Sequence, residues 1–304
     1  MKNQLYIGFD IGGTHVRILL FDKLTQKILF KKKVLFEYKN TVKEEIDENI
    51  CKYIDAIVNK YPCIKGVALA LAAVLDSQTG KIIKWPNNPK WNEFYINNYL
   101  KSKYQFKIVF EDDVNSAALG ERHYGIGKYL NSFLYVSIGT GIGCGIIYNG
   151  NLFKGENGKA GELGHIVIEG YDNLCSCGNK GCLQTIASGR AILNKYKSTL
   201  KEKKLEDSLL FNDLLNNDEK ARKIIYQSGN LIGKNIGNLM TILDINTVIL
   251  SGGAIKFGHY FIDSIEDGVL KVKQNYDSKY KLIVSNENDF LGALGAVSLF
   301  FGKE

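Results

Sequence analysis

Two segments of the sequence, more than a hundred residues apart, repeat one local design. QLYIGFDIGGTHVRILLFD, residues 4–22, and SFLYVSIGTGIGCGIIYNG, residues 132–150, each place a glycine turn with a threonine between two apolar runs. Runs of this kind on either side of a glycine turn predict a β-hairpin. Two matching hairpins in one chain predict two related halves, each built around a sheet.

The segments between and after the hairpins alternate between strand and helix patterns. KGVALALAAVLD is typical of a buried strand, FKIVFEDDVNSAALGERHYG indicates a strand that leads into a helix, and residues 41–60 are amphipathic. Beyond residue 185 apolar residues recur at helical spacing, TVILSGGAI indicates a strand and turn, and FLGALGAVSLF predicts a C-terminal helix. This alternation predicts a layered α/β architecture.

The charge and hydropathy patterns exclude several classes of partner. The formal net charge of +7 comes mainly from lysines spread along the chain, as in KILFKKKVLF and LKEKKLED, where solvated faces are the ordinary explanation. No apolar run approaches the roughly 18 to 20 residues of a membrane span. Asp10 and three glycines stand where a signal peptide needs an apolar core. We therefore expect a cytoplasmic protein with no nucleic acid and no membrane among its partners.

Three glycine turns have the composition of anion-binding loops: DIGGT at 10–14, GTGIG at 139–143, and Ser251-Gly252-Gly253. Glycines let backbone N–H groups approach an anion closely, and the threonine hydroxyls add donors. Each turn alone is equally typical of an ordinary turn, and neither of the first two fits the P-loop or the G-x-G-x-x-G pattern. Together they resemble the phosphate 1, phosphate 2 and adenosine elements of the actin, Hsp70 and sugar kinase superfamily.

Three further motifs narrow this resemblance. EDDVNSAALGE at 111–121, AGELGH at 160–165 and CSCGNKGCLQTIASG at 175–189, following DIGGTHVR, closely resemble the ROK family of bacterial sugar kinases and sugar-responsive repressors over essentially the whole chain. The resemblance implies an α/β, two-domain actin-like ATPase (ribonuclease H-like) fold with an active-site cleft between the lobes. It implies a small N-terminal α/β domain at 1–115, completed by the C-terminal helix near 290–304, and a larger α/β domain with the cysteine motif at 116–289.

The cysteine motif is the most specific of these signals. Clustered cysteines in a reducing cytoplasm are better interpreted as metal ligands than as disulfides. One imidazole and three thiolates make a complete tetrahedral set for Zn²⁺, from His165, Cys175, Cys177 and Cys182. Because four protein ligands leave no position for a reactive water, we expect a structural zinc ion. The alternative is a group of reduced thiols beside an unrelated histidine.

The resemblance assigns the catalytic role to Asp113, which matches the general base of the family's N-D-x-N pattern. On sequence alone, an aspartate before VNSAALGE is more often a helix N-cap. We expect Asp10 to act through the Mg²⁺ that accompanies ATP. The nucleotide is expected at the three glycine turns, with the backbone amides of the glycines in the first two on the phosphates: Gly12, Gly13, Thr14, Gly139, Thr140, Gly141, Gly252 and Gly253.

A proline and asparagine segment supplies the candidate for sugar recognition. WPNNPKW at 85–91 resembles the family's P-N-x-P-x-W segment, which makes Asn87 a candidate contact to a sugar hydroxyl and Asn88 the second choice. An exposed turn would have the same composition. The family also has Glu162 and His165 in the sugar site, so one histidine nitrogen is free to bind zinc while the other faces the substrate.

Three positions depart from the family's pattern. Asp112 replaces an asparagine and loses its amide donor, Gln184 replaces a glutamate, and Ala73 replaces a glycine. Asp112 and Gln184 are still expected to contact the sugar. Because all three positions lie where the family contacts sugar, catalysis is expected to be intact and the substrate to be open.

The sequence thus predicts an ATP-dependent hexokinase-type enzyme that phosphorylates the 6-hydroxyl of a hexose or N-acetylhexosamine. Glucose and N-acetylmannosamine are favoured, and fructose, allose, N-acetylglucosamine and β-glucosides are alternatives. A catalytically inactive sugar sensor is the rival class, against which the retention of Asp10 and Asp113 argues. A repressor is disfavoured because the family's repressors carry a preceding helix-turn-helix domain, whereas nine residues precede Asp10. The family implies a homodimer or homotetramer.

Overall fold

The computed structural model describes residues 4–76, 78–200, 218–273, 279–286 and 288–301. The chain forms two compact units. The first contains the residues up to Asn131, Gly150–Gly158 and the residues from Asn286 onward, and the second contains Ser132–Asn149 and Lys159–Ser285. Within the described ranges, no helix has both the length and the apolar character that crossing a membrane requires.

The first unit is built on a five-stranded sheet in the order β3-β2-β1-β4-β7. Its strands are β1 (Leu5–Ile11), β2 (His15–Asp22), β3 (Lys27–Leu35), β4 (Ile64–Leu71) and β7 (Lys107–Asp112). Strands β1 and β2 form the first predicted hairpin, in which Asp10 is opposite Arg17. Strand β4 lies parallel to both β1 and β7, so the carboxyl ends of these three strands, including Asp10 and Asp112, share one edge of the sheet.

Helices cover this sheet, and smaller elements complete the unit. The predicted amphipathic segment at 41–60 is confirmed as α1 (Val42–Ile46), a π-helical segment (Asp47–Cys51) and α2 (Lys52–Lys60). The remaining elements are β5 (Val74–Asp76), β6 (Lys81–Lys84), α3 (Ile96–Lys103), α4 (Asp113–Tyr124), β10 (Asn151–Leu152) and α9 (Leu291–Ser298). A domain boundary after residue 115, as predicted from the sequence, would fall inside α4, which the structure includes whole in the first unit.

The second unit repeats the design of the first. Its strands β8 (Phe133–Ile138) and β9 (Ile142–Tyr148) form the second predicted hairpin, and β11 (Thr247–Ser251) and β12 (Lys281–Val284) continue the sheet in the order β9-β8-β11-β12. The helices are α5 (Leu183–Ala187), α6 (Gly189–Thr199), α7 (Glu219–Leu243) and α8 (His259–Lys273). Their buried aliphatic side chains form one core with those of the sheet.

Helices α4 and α9 of the first unit cross in backbone contact. A Cβ added at Gly295 would lie 1.6 Å from the carbonyl oxygen of Ser116, and one added at Gly120 would lie 2.2 Å from that of Leu291. Because no side chain fits at either position, the two helices approach more closely than side-chain packing normally permits.

Gly295→Ala should therefore destabilise the protein, although the same change in an open helix stabilises by about 1 kcal/mol. We expect a loss of about 2–4 kcal/mol in the free energy of unfolding, measured by urea denaturation, because the methyl group forces the helices apart. Gly253→Ala is the control, since a Cβ there meets nothing within 4 Å. Equal stability of the two variants would contradict the packing argument.

Candidate functional site

The carboxyl groups of Asp112 and Asp113 have different roles where β7 leads into α4. Asp112 is the N-cap: its Oδ1 accepts hydrogen bonds from the backbone N–H of Val114 at 2.9 Å and of Asn115 at 3.1 Å. The capping role that the sequence left open for Asp113 is therefore filled by its neighbour. Burial raises the pKa of the Asp113 carboxyl, and a raised pKa is typical of a carboxyl that accepts a proton during a reaction.

Asp10, at the end of β1, lies in the same unit and is electrostatically linked to Asp113. Its carboxyl pKa rises from 3.8 to about 7, mainly because of burial. The charges of Asp113 and Asp289 raise it further, while Arg17, with Nη1 3.6 Å from Oδ2, lowers it. Several carboxylates with one nearby guanidinium make a site that favours an added cation.

The turn after Asp10 packs tightly against the proline and asparagine loop. A Cβ at Gly13 would lie 2.9 Å from the Cβ of Asn87, and the Tyr38 hydroxyl donates to the Gly13 carbonyl oxygen at 2.5 Å. The backbone N–H of Gly12 donates to the His15 carbonyl oxygen at 3.0 Å, so the expectation that this amide binds phosphate needs correction. The hairpin geometry uses that donor inside the turn.

The two asparagines of the loop differ in exposure. Asn87 is exposed, whereas Asn88 is buried and its Nδ2 donates to Glu45 Oε2 at 2.8 Å. The amide of Asn88 therefore has a structural partner, and the amide of Asn87 is the one that can reach a ligand. Ala73, the third departure from the family's pattern, is buried in the core of this unit.

In the second unit, the two other glycine turns lie side by side. Gly252 has a φ of +95°, and a Cβ there would lie 2.4 Å from the Ile138 carbonyl oxygen, directly before Gly139. A Cβ at Gly139 would lie 3.9 Å from the backbone nitrogen of Gly253. The Gly139 N–H donates to the Gly141 carbonyl oxygen at 2.9 Å, so this predicted phosphate donor also has a partner inside its own turn. The exposed Thr140 is at the tip.

The AGELGH segment lies against β9 through its glycines. A Cβ at Gly161 would lie 1.8 Å from the Cys144 carbonyl oxygen, and one at Gly164 would lie 2.1 Å from that of Ile142. This contact holds Glu162 and His165 close to the Gly139–Gly141 turn. His165 Nε2 is 3.8 Å from Glu162 Oε2, and its other nitrogen faces the cysteines.

The four predicted metal ligands form one cluster, with all ligand atoms within 4.8 Å of one another: His165, Cys175, Cys177 and Cys182. The Cys175 Sγ to His165 Nδ1 and the Cys177 Sγ to Cys182 Sγ distances are both 3.6 Å. Tetrahedral coordination with metal–sulfur bonds of about 2.3 Å gives edges of about 3.6–3.8 Å. The cluster therefore has the dimensions of a four-coordinate metal site.

Gln184, two positions after the last cysteine of the cluster, connects the cluster to the turns. Its Nε2 donates to Cys175 Sγ at 3.3 Å, and its Oε1 would be 2.8 Å from a Cβ at Gly141. Burial raises the pKa of the Cys175 thiol, but hydrogen bonds from the Cys177 backbone and from Gln184 outweigh it and lower the pKa to about 6. Burial and the neighbouring cysteines raise the pKa of Cys182 to about 12.

Sequence reasoning missed three residues that shape the first unit's site. In the sequence, Glu45 has the pattern of an ordinary acidic residue in the first turns of a helix. Tyr38 has the pattern of a loop residue, and Arg17 that of an alternating position in a strand. Their partners, Asn88, Gly13 and Asp289, are 43, 25 and 272 residues away in the chain. No local pattern contained that information.

Comparisons with known proteins agree with this geometry. The protein-family model described as "ROK family" matches residues 6–303 of the sequence. The N-acetyl-D-glucosamine kinase of Histophilus somni is 30% identical and aligns with 99% of this chain and 100% of its own length. The xylose repressor of Caldicellulosiruptor bescii is 27% identical over 96% of this chain and 77% of its own length.

Among solved structures, a ROK hexokinase from Thermus thermophilus matches with a TM-score of 0.86 and 26% identity, covering 98% of this chain and 100% of that one. The two-sheet α/β architecture is therefore the predicted actin-like ATPase fold.

Asp10→Asn should stabilise the Mg²⁺-free protein at pH 8 by about 1–4 kcal/mol and change its stability little near pH 3.5. Between pH 3.8 and about 7 the unfolded chain releases the Asp10 proton while the folded protein keeps it, so wild-type stability falls as pH rises. Above that range the full cost of the buried charge is present, and asparagine removes it. Urea unfolding from pH 3.5 to 8 measures the difference.

Asp289→Asn is the matched control. A hydrogen bond from the Lys33 ammonium chiefly lowers the pKa of the Asp289 carboxyl. The charged carboxylate therefore stabilises the folded protein at pH 8, and Asp289→Asn should destabilise it. A stability difference between wild type and Asp10→Asn that is the same at every pH would contradict the assignment of a raised pKa.

Proposed function

The chain belongs to the ROK family, and from this premise we propose that it is an ATP-dependent sugar kinase that phosphorylates the 6-hydroxyl of a hexose or N-acetylhexosamine. The observation that carries the proposal is the division of roles at the start of α4. Asp112 caps the helix, which leaves the partly exposed carboxyl of Asp113 without a capping role and electrostatically linked to Asp10.

Asp113 is the general base of the proposed reaction. Phosphoryl transfer passes through a loose transition state, so the carboxylate orients the attacking hydroxyl and accepts its proton late. Burial raises the pKa of Asp113 toward the working pH, which favours a group that both accepts and returns a proton. Nothing beyond an ordinary carboxylate is required.

The nucleotide is proposed to bind at the glycine turns. Gly13 and Gly141 supply backbone amides, and Thr14 and Thr140 supply exposed hydroxyls. Gly253, where a Cβ meets nothing within 4 Å, leaves room for the nucleoside beside Gly252. Asp10 would hold Mg²⁺ through water molecules, and the ion would neutralise phosphate charge there. The pKa of the Asp10 carboxyl reaches about 7, mainly through burial and in spite of the Arg17 guanidinium. This supports the assignment, because a bound cation would stabilise the charged carboxylate.

Sugar recognition is proposed for five residues: Asn87, Asp112, Glu162, His165 and Gln184. The exposure of Asn87 and Glu162 supports their assignment. Gln184 directs its amide nitrogen at Cys175, so it would offer the sugar its oxygen.

We infer that the four-residue cluster binds a structural Zn²⁺. Three thiolates and an imidazole suit this ion, and four protein ligands leave no open position. Because His165 Nδ1 faces the cysteines while Nε2 faces Glu162, the ion would orient the GELGH segment that contacts the sugar.

The relatives support a hexose or an N-acetylhexosamine as the substrate, and they also support one rival function. One relative is named an N-acetyl-D-glucosamine kinase and another a hexokinase, so the panel of sugars to test contains glucose, N-acetylmannosamine, N-acetylglucosamine, fructose, allose and β-glucosides. The match to a xylose repressor favours an inactive sugar-binding protein as the second candidate. ADP release measured across this panel, with xylose added, separates the two.

Asp113→Asn should fold normally and lose about 10²–10⁴ in kcat, because the amide keeps the shape but cannot accept the proton. A coupled ADP-release assay with the best sugar measures the loss. Asp218→Asn is the control: Asp218 caps α7 by accepting from the Ala221 N–H at 2.7 Å, and asparagine caps helices as well as aspartate, so its kcat should stay within about threefold of wild type. Near-wild-type turnover by Asp113→Asn would rule out the general-base assignment.

Cys177→Ser should lower the zinc content from one equivalent toward zero and weaken sugar binding by at least about 10–100-fold, because the GELGH segment loses its fixed geometry. ATP affinity measured without sugar should fall less than sugar affinity, because only Gln184 joins the cluster to the Gly141 turn. Elemental analysis and calorimetry provide the two readouts, and Cys63→Ser, at an exposed cysteine outside the cluster, is the control. Full sugar affinity in a metal-free variant would refute the coupling.

A further inference from the structure

Glu45, on helix α1, is a fully buried carboxylate in contact with the proline and asparagine loop at 85–91. Burying a charge is costly unless hydrogen-bond donors surround it. Here Oε1 accepts from the backbone N–H of Lys39 at 3.1 Å and from Lys90 Nζ at 2.8 Å. Oε2 accepts from Asn88 Nδ2 at 2.8 Å and from the indole N–H of Trp91.

Three of these four donors, from Asn88, Lys90 and Trp91, belong to one loop. Asn88 and Trp91 are buried, Trp91 packs edge-on against Trp85 with ring centroids 4.7 Å apart, and the backbone N–H of Asn88 donates to the Trp85 carbonyl oxygen at 3.1 Å. Glu45 thus holds the second half of the loop, from Asn88 to Trp91, and the contact between Trp91 and Trp85 ties the first half to it. Asn87 is the exposed residue that this arrangement leaves next to Gly13.

Helix α1 and the segment that follows it fix the opposite side of Gly13 as well. Asn49 donates through Nδ2 to the carbonyl oxygens of Glu45 at 2.9 Å and of Glu37 at 2.8 Å, and its Oδ1 accepts from the Glu37 N–H at 2.8 Å. The next residue, Tyr38, donates to the Gly13 carbonyl oxygen. The buried residues Glu45 and Asn49 therefore order two segments that meet at the same glycine.

We propose that Glu45 is a positioning residue for sugar recognition, which holds the 85–91 loop so that the Asn87 side chain stands beside the Gly12–Thr14 turn. The proposal rests on the proposed function, because it assumes that Asn87 contacts the sugar. Glu45 itself, with no exposed surface, touches no substrate.

The chemistry of the site requires a carboxylate at this position. Each oxygen of Glu45 faces two donors, so an amide of the same shape must turn its NH₂ group toward one of the two pairs. Two buried donors then lose their acceptor and meet another donor instead. The loop must move away, and Asn87 moves with it.

Glu45→Gln should therefore raise the KM and the Kd for sugar by at least about tenfold, with kcat within about threefold and a smaller change in ATP affinity, since the Gly12–Thr14 turn lies beside the displaced loop. A purely structural role would lower stability without separating KM from kcat. Trp91→Phe, which removes the indole N–H donor and leaves a smaller aromatic ring, should raise the sugar KM less than Glu45→Gln does. It also serves as the test if Glu45→Gln does not fold.

The control is Asp22→Asn, a change of a buried carboxylate to an amide in the same unit, where Asp22 caps the turn at Leu24 and Thr25. Its sugar affinity should equal that of the wild type. Calorimetry with each sugar of the panel provides Kd values whether or not the protein turns over ATP.

The outcomes separate the two levels of the proposal. A wild type that binds sugar but releases no ADP would overturn the kinase activity and leave the positioning role standing on its Kd values. Wild-type sugar affinity in folded Glu45→Gln, or in Trp91→Phe where only that variant folds, would overturn the positioning role alone. A wild type that binds none of these sugars would overturn both.

Discussion

The backbone contact between helices α4 and α9 is the constraint on which the first unit's site depends. Gly295 lies against the Ser116 carbonyl and Gly120 against that of Leu291, so the start of α9 is held at a fixed place. A Cβ at Gly292, on the same helix, would lie 3.0 Å from the Asp10 carboxylate. Since α4 begins at Asp113, one helix crossing determines the surroundings of both carboxylates that the proposed reaction needs.

Buried carboxylates in this unit have opposite electrostatic behaviour because their donors differ. Burial alone would raise the pKa of Glu45, but its hydrogen bonds with Lys90, Trp91, Lys39 and Asn88 outweigh burial and lower it. The pKa of Asp10 is raised first by loss of solvation and then by the carboxylates of Asp113 and Asp289, and one guanidinium at 3.6 Å does not outweigh them. A carboxylate with four donors is a structural anion, whereas one with few donors is open to a cation.

The second unit joins metal binding to its glycine turns through short-range contacts. The cysteines lie within a short segment of the chain, and Gln184 follows two positions after the last of them, with one end of its amide on Cys175 and the other near Gly141. His165 contributes one nitrogen to the cluster and has the other near Glu162. A change in the cluster therefore has a direct route to the residues proposed to bind sugar.

The sequence by itself determined the two hairpins, the strand-to-helix transition at Asp112 and Asp113, and the four residues of the cluster. Each follows from the local spacing of residue types. Alternation of apolar and polar residues predicts strands, and cysteines that are close in the chain can meet around one ion. Tertiary structure alone decided that Asp112 caps the helix, that Asn88 is buried while Asn87 is exposed, and that the amides of Gly12 and Gly139 are used within their turns. It also decided the role of Glu45, whose three loop donors are 43 to 46 residues away in the chain. Which of two adjacent residues is buried depends on what packs against it, and hydrophobic periodicity does not specify that partner.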